Sequence, residues 1–350
     1  MIDTIRNAWK IIDLRKKILY TILMIIIFRL GSCIPVPLLD PAAMKEIFTS
    51  DNSLFGFIDV ISGGAFQNAT IFAMSITPYI NSSIIMQLLT VAIPALERLQ
   101  KQGEDGRKKI VAITRYLTVV LALIESTAMA VGFGRQGLLK EYNFVNAAIV
   151  VLTLTAGSAF LMWIGERITE KGVGNGISIV LVINILSRVP SDMTTLFNQF
   201  VKGKSLASGG LAVLIILAII VAMVVFVILL QDGERRIAVQ YSQKIAGRKT
   251  FGGQSTHIPL KVNTAGVIPI IFASSLMQFP IVIASFLGKG NGSGIGSEIL
   301  RGMNQGNWLN PDQIKYSWGL IVYIVLTVFF AYFYTSITFC LLYTSDAADD

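Results

Sequence analysis

Eight long apolar stretches, at about residues 18–36, 71–93, 112–132, 147–165, 177–189, 211–230, 264–287 and 318–342, dominate this chain. Most reach the roughly 20 residues that a helix needs to cross a bilayer. Runs of this kind leave few folds open. Lipid offers no partner for a bare amide, so a spanning segment pairs its own backbone as a helix. Composition agrees, with 53% apolar and 14% charged residues and a mean hydropathy of +0.66. The chain reads as an all-α, polytopic membrane protein. Its longest gap between apolar runs, about 231–263, is too short for a separate soluble domain.

The first run follows Arg15, Lys16 and Lys17, as the core of a secretory signal would. "IPVP" at 34–37 and the lack of a small-x-small cleavage pattern instead mark a retained span. Orientation is read from loop lysines and arginines. With the N-terminus in the cytoplasm, inner segments hold 19 of the 29 Lys and Arg and outer segments hold nine. The net charge of +8 therefore concentrates on the cytoplasmic face, where it suits anionic lipid or an acidic or RNA-bearing partner. The gap 231–263, with Arg235, Arg236, Lys244, Arg248, Lys249 and Lys261 among Gly and Ser, reads as a protruding basic hairpin. The Gly- and Asn-rich outer stretch 288–317 reads as a mobile loop.

Two spans are unusual. The second is preceded and interrupted by Ser62, Gly63, Gly64, Gln67, Asn68, Thr70, Pro78, Asn81, Ser82 and Ser83. The fifth, "ISIVLVINILSRV" at 177–189, is short and carries Asn184, Ser187 and Arg188. Polar or broken backbone at membrane depth is tolerated where it is buried in protein or lines a watery cavity. Both spans are therefore candidates for a conduit wall.

Signs of enzymatic chemistry are missing from the sequence. Its one histidine, His257, sits in the basic hairpin, and its two cysteines, Cys33 and Cys340, suggest neither a disulfide framework nor a metal site. "GVGNG" and "GKGNGSGIGS" share only glycine content with phosphate loops. No cofactor is called for, and the chain is read as a non-enzyme. Away from the span ends the ionisable residues are Arg29 and Glu125, and a lone Glu125 suits a polar contact between helices better than a proton relay. Aliphatic pairs recur at helical spacing: Ile80 with Ile84, Leu181 with Ile185, Val267 with Ile271. On spacing alone such pairs read as core packing.

Four segments, "SGGAFQNATIFAMSITPYINSSIIMQLL" (62–89), "GEDGRKKI" (103–110), "MWIGERITEKGVGNGISI" (162–179) and "GGQSTHIPLKVNTAGVIPIIFASS" (252–275), together resemble the SecY/Sec61-alpha family of protein-conducting channels. The resemblance covers nearly the whole chain to about residue 340. It implies an inverted-repeat helical channel, with residues 1–190 as an N-terminal half of five spans and 211–342 as an incomplete C-terminal half. Eight of the family's ten spans are expected. The last ten residues, 341–350, are acidic and unlike the family, and read as an aberrant tail.

Site residues follow from the resemblance. Residues 54–68 match the plug, with Phe55, Ile58, Ile61, Gly63 and Gly64 in it. Ile80, Ile84, Leu181, Ile185 and Ile271 match the aliphatic pore ring, which yields around an extended polypeptide while limiting ion leak. Ser83, Gln87, Glu125 and Asn263 match polar positions along a lateral gate, where the second and third spans face the seventh and eighth. Arg248 and Lys249 match the basic tip that meets the ribosome or the SecA motor. SecE and SecG subunits, signal sequences, nascent secretory chains and membrane lipid are the implied partners, and the bacterial plasma membrane the implied site. A secondary transporter, which also uses inverted repeats and broken helices, is the alternative; it requires convergent charges at the midplane.

Overall fold

The computed structural model describes residues 9–40, 44, 62–135, 137–139, 141–202, 206–239, 244–246, 249–251, 256–263, 265–286, 295–305, 308 and 311–346. They fall into two compact units, Met1–Pro190 with Phe272–Leu326, and Ser191–Ile271 with Thr327–Asp350. The element order is α1 (Ile12–Gly31), α2 (Thr77–Ala92), α3 (Pro94–Lys101), α4 (Glu104–Arg135), α5 (Phe144–Lys171), α6 (Gly176–Phe200) and α7 (Leu206–Asp232). Then come β1 (Glu234–Val239), β2 (Lys244–Ala246), β3 (Lys249–Phe251), β4 (Thr256–Lys261), α8 (Ile268–Phe286), α9 (Ile295–Met303), a 3-10 turn (Pro311–Ser317) and α10 (Trp318–Asp346).

Helices lie over all eight apolar stretches, yet eight spans are not reached on length and composition. Five helices, α4, α5, α6, α7 and the segment Ile314–Ser336, qualify among the described residues. A sixth span is added if α2 and α3 count as one. Two helices fall short: α1 carries Asp13, Arg15, Lys16, Lys17 and Arg29, and the apolar helical part of α8 is brief, Ile268–Gln278. The break between α2 and α3, bent by 101°, has a local cause. Ile93 is extended (φ −110°, ψ 111°) because the ring of Pro94 disfavours helical backbone before it, while Pro94 itself opens α3.

The first unit is organised by the α4–α5 pair. Thr114, Thr118, Ala122, Ser126 and Ala130 recur every fourth residue of α4 and are buried. Small side chains of this kind let two helix backbones come close. Ser126 Oγ lies 2.8 Å from Thr155 Oγ1 of α5, and Arg115 Nε donates to Glu166 Oε1 at 2.7 Å, so the helices run antiparallel. α2 packs on α4, and α1 on α5. One buried cluster includes Val36, Phe66, Met74, Phe133 and Leu154, and a second includes Met24, Phe28, Phe72, Leu161, Ile164 and Val180.

Two sequence expectations are corrected. The fifth span is not short: α6 continues through Pro190 for 25 residues, about 37 Å at 1.5 Å per residue. The stretch 288–317 is partly regular, since α9 forms within it, Trp308 Nε1 donates to Gly302 O at 2.8 Å, and Lys315 Nζ lies 3.1 Å from Glu298 Oε1. An indole anchored on a helix end supplies the order that glycine content alone does not reveal.

In the second unit the basic stretch forms the expected hairpin. β1 pairs antiparallel with β4 from Glu234↔Lys261 to Val239↔Thr256, and β2 pairs with β3 from Lys244↔Phe251 to Ala246↔Lys249.

Candidate functional site

Residues 63–76, the small and polar stretch ahead of the second span, do not join a helix; they run as turns, broken by a bridge from Thr70 to Pro35, until α2 opens at Thr77. Helix from residue 71 is prevented by left-handed backbone at Ser75 (φ 53°), and Ala69 (φ 48°) breaks the chain earlier. Each such residue costs about 1–2 kcal/mol, so the segment persists only because its surroundings hold it. It is buried in protein: Phe66, Ala69, Thr70, Phe72, Ser75 and Ile76 are all inaccessible. Its backbone groups find partners locally and on the chain after α1. Ile71 N donates to Ile34 O at 3.0 Å, Val36 N to Ala69 O at 2.8 Å, and Thr70 Oγ1 to Ala65 O at 3.1 Å.

Glycines on neighbouring helices let the segment in. A Cβ at Gly157 of α5 would stand 2.0 Å from Ile71 O, and one at Gly31 would meet the Phe72 ring at 2.2 Å. That ring stacks between Phe28 (5.8 Å) and Phe160 (6.2 Å). From α6, Asn184 Nδ2 donates to Ser75 Oγ at 3.1 Å, and Ser187 Oγ donates to Gly63 O at 3.3 Å. The two unusual spans of the sequence thus meet through their polar residues. Arg29 of α1 reaches the same helix, donating to Ile183 O and lying 5.4 Å from the Phe28 ring centroid. One guanidinium N–H of Arg29 is thus held by a backbone carbonyl.

Gly63 and Gly64 of the expected plug both have left-handed backbone (φ 67° and 84°), which glycine adopts without strain. Phe55, Ile58 and Ile61 lie outside the described residues. Among the gate positions, Glu125 Oε1 accepts from Asn81 Nδ2 at 3.4 Å, joining α4 to α2. This is the polar contact anticipated for Glu125, with a partner the sequence did not single out. Ser83 is half-buried and Gln87 exposed on α2. Asn263, in the second unit, accepts from Gly266 N at 3.0 Å, capping the turn into α8.

The aliphatic positions occupy faces that the core leaves over. On α2 the buried residues are Pro78, Ser82, Met86 and Thr90, and Ile80 and Ile84, two residues out of phase, are half-buried on the other side. On α6, Val180 and Asn184 are buried, Leu181 is half-buried and Ile185 exposed. Ile271 is half-buried on α8. In the hairpin Lys249 belongs to β3 and pairs with Ala246, whereas Arg248 lies outside the described residues. The "GVGNG" loop has a structural part to play. Asn175 Oδ1 accepts from Ile177 N at 3.0 Å and Ser178 N at 3.3 Å, capping the start of α6.

Several helices long and apolar enough to span a membrane, a buried turn-rich segment ahead of the second span, and aliphatic rather than charged helix faces left outside the core define a membrane protein of channel type. The SecY family model matches residues 70–347. Protein translocase subunit SecY of Corynebacterium glutamicum is 41% identical over 350 residues, with 96% of this chain and 77% of the relative covered. The Escherichia coli K12 subunit of the same name is 39% identical, with 93% and 72% covered. The chain therefore belongs to the SecY family. Solved structures agree in fold. One described as a protein conducting channel matches with a TM-score of 0.60 at 18% identity, covering 91% of this chain and 70% of that one. Sec61 of a canine ribosome-channel complex matches at 0.57 and 18%, covering 90% and 71%. A SecY structure solved to study its plug domain matches at 0.56 and 20%, covering 90% and 70%.

Proposed function

We propose that this chain is the channel subunit of a bacterial protein translocase. It passes unfolded secretory polypeptides across the plasma membrane and releases hydrophobic helices sideways into lipid. The observation that carries this reading is the pairing of the interrupted second span with α6 through Asn184–Ser75 and Ser187–Gly63. A conduit for chains of any sequence needs aliphatic walls and an entrance segment held by contacts weak enough to break. Ile80, Ile84, Leu181, Ile185 and Ile271 serve as the yielding ring, which excludes water when empty. Residues 54–68 serve as the plug.

The gate uses Ser83, Gln87, Glu125 and Asn263 as low-cost polar contacts, since interhelical polar bonds average about 0.6 kcal/mol. A signal helix gains several kcal/mol on reaching lipid, at about −0.3 to −0.6 per leucine-like residue, and so drives opening. The N-terminus and the basic hairpin face the cytoplasm, where Arg248 and Lys249 meet the ribosome or SecA; SecE and SecG complete the assembly. Energy comes from those partners, and the chain itself is no enzyme. The secondary-transporter reading is not favoured. Arg29 and Glu125 are engaged by Ile183 O and Asn81, and they do not converge on a common site.

The test is ion permeability. In proteoliposomes holding the channel with its partner subunits, the double variant Ile80→Ser, Ile84→Ser is expected to raise resting ion flux severalfold; flux unchanged from wild type would refute the ring.

A further inference from the structure

We propose that Asn184 and Ser187 form a hydrogen-bonded latch from α6 onto segment 63–76, and that this latch sets how readily the closed channel opens. The inference rests on the channel reading above. α6 is otherwise aliphatic through this stretch, and an asparagine amid it is costly to bury unless its amide is bonded. Asn184 is 1% exposed, and its Nδ2 is spent on Ser75 Oγ, 3.1 Å away, where the segment turns into α2. Its Oδ1 has no partner among the described residues. Ser187 has a single hydroxyl proton, shared between Asn184 O at 2.6 Å and Gly63 O at 3.3 Å.

Gly63 is pressed against the same two residues: a Cβ there would lie 2.8 Å from Asn184 O and from Ser187 Oγ. One turn of α6 therefore grips the segment at its beginning, Gly63, and at its end, Ser75. Within the gripped segment the backbone is left-handed at Ala69 and at Ser75 itself, and both relax if the grip is released. Asn184 is the stronger arm and Ser187 the weaker, since the serine proton is closer to its own helix carbonyl. Both are positioning residues: they act by holding the segment and need not touch the passenger.

Loss of a net hydrogen bond shifts an opening equilibrium by about two- to tenfold. The experiment uses the full-length protein with its partner subunits in proteoliposomes, comparing wild type with Asn184→Ala, Ser187→Ala, the double variant and Ser187→Thr. Hydrogen exchange of amides 63–76 and resting ion flux are read on the same vesicles. Expected are a two- to tenfold rise in both for Asn184→Ala, a smaller rise for Ser187→Ala, the largest for the pair, and wild-type values for Ser187→Thr. Amides of α4 and α5 should be unaffected. Unchanged exchange in the double variant overturns the latch, and raised exchange with unchanged flux overturns its control of opening. The Ile80→Ser, Ile84→Ser variant separates the two failures. If it leaks while the latch variants do not, only the latch is wrong; if neither leaks, the channel reading falls as well.

Discussion

Alanine at Gly157 tests how the non-helical segment is held. The helix α5 passes so close that a Cβ at this position would stand 2.0 Å from Ile71 O, with Phe72 at 3.5 Å. The obstacle is a backbone carbonyl, which has no rotamer by which to withdraw, so the segment or the helix must shift by about 1 Å or more to reach an ordinary contact. Overpacking of this kind costs about 1–3 kcal/mol. Alanine in a helix interior returns roughly 0.5–1 kcal/mol relative to glycine, leaving a net loss of up to about 2.5 kcal/mol. Gly210, in α7, provides the control: nothing lies within 4 Å of its added Cβ, so Gly210→Ala collects only the propensity gain. Thermal unfolding of the two variants in detergent, followed by tryptophan fluorescence, should move in opposite directions. Equal midpoints for Gly157→Ala and Gly210→Ala would refute the close approach of α5 to Ile71.

Glu125→Leu removes the contact with Asn81 and should cost about 0.6 kcal/mol and not more than about 1.7, read as a small fall in the unfolding midpoint. Glu125→Gln, which keeps an acceptor, should lie closer to wild type, and a severe loss in that variant would show that the carboxyl does more than join α2 to α4. Reversing charge with Arg248→Glu, Lys249→Glu should impair coupling to the motor or ribosome while membrane insertion stays normal; unimpaired secretion would contradict the docking role.

The helices were legible because hydropathy marks them directly: "LAVLIILAIIVAMVVFVILL" admits little but a long apolar helix, and α7 covers it. The basic hairpin was legible from its charge and turn residues. Length was less so. α6 runs on past Ser187, Arg188 and Pro190, since a spanning helix tolerates a proline where its surroundings satisfy the freed backbone group. α2 starts at Thr77, six residues after the apolar stretch begins at 71. "IFAMS" is apolar enough for a span, and nothing local announces that Ser75 is left-handed. At the candidate site, Asn184 and Ser187 stood out as polar residues at membrane depth, but their partners Ser75 and Gly63 are far away in sequence, and only the fold brings them together. Asn81 interrupts the second span in the sequence, but nothing there marks it as the partner of Glu125. Pairing between helices depends on rotational phase, which composition does not encode.

Passage of a polypeptide along the face of α2 that carries Ile80 and Ile84 is the central claim. A single cysteine placed at Ile84, after removal of Cys33 and Cys340, should crosslink to a secretory chain stalled during export through the full-length channel, and should do so only while the chain is engaged. If the stalled chain gives no adduct at Ile84, nor at cysteines placed in turn at Ile80, Leu181, Ile185 and Ile271, these residues do not line a protein-conducting pore.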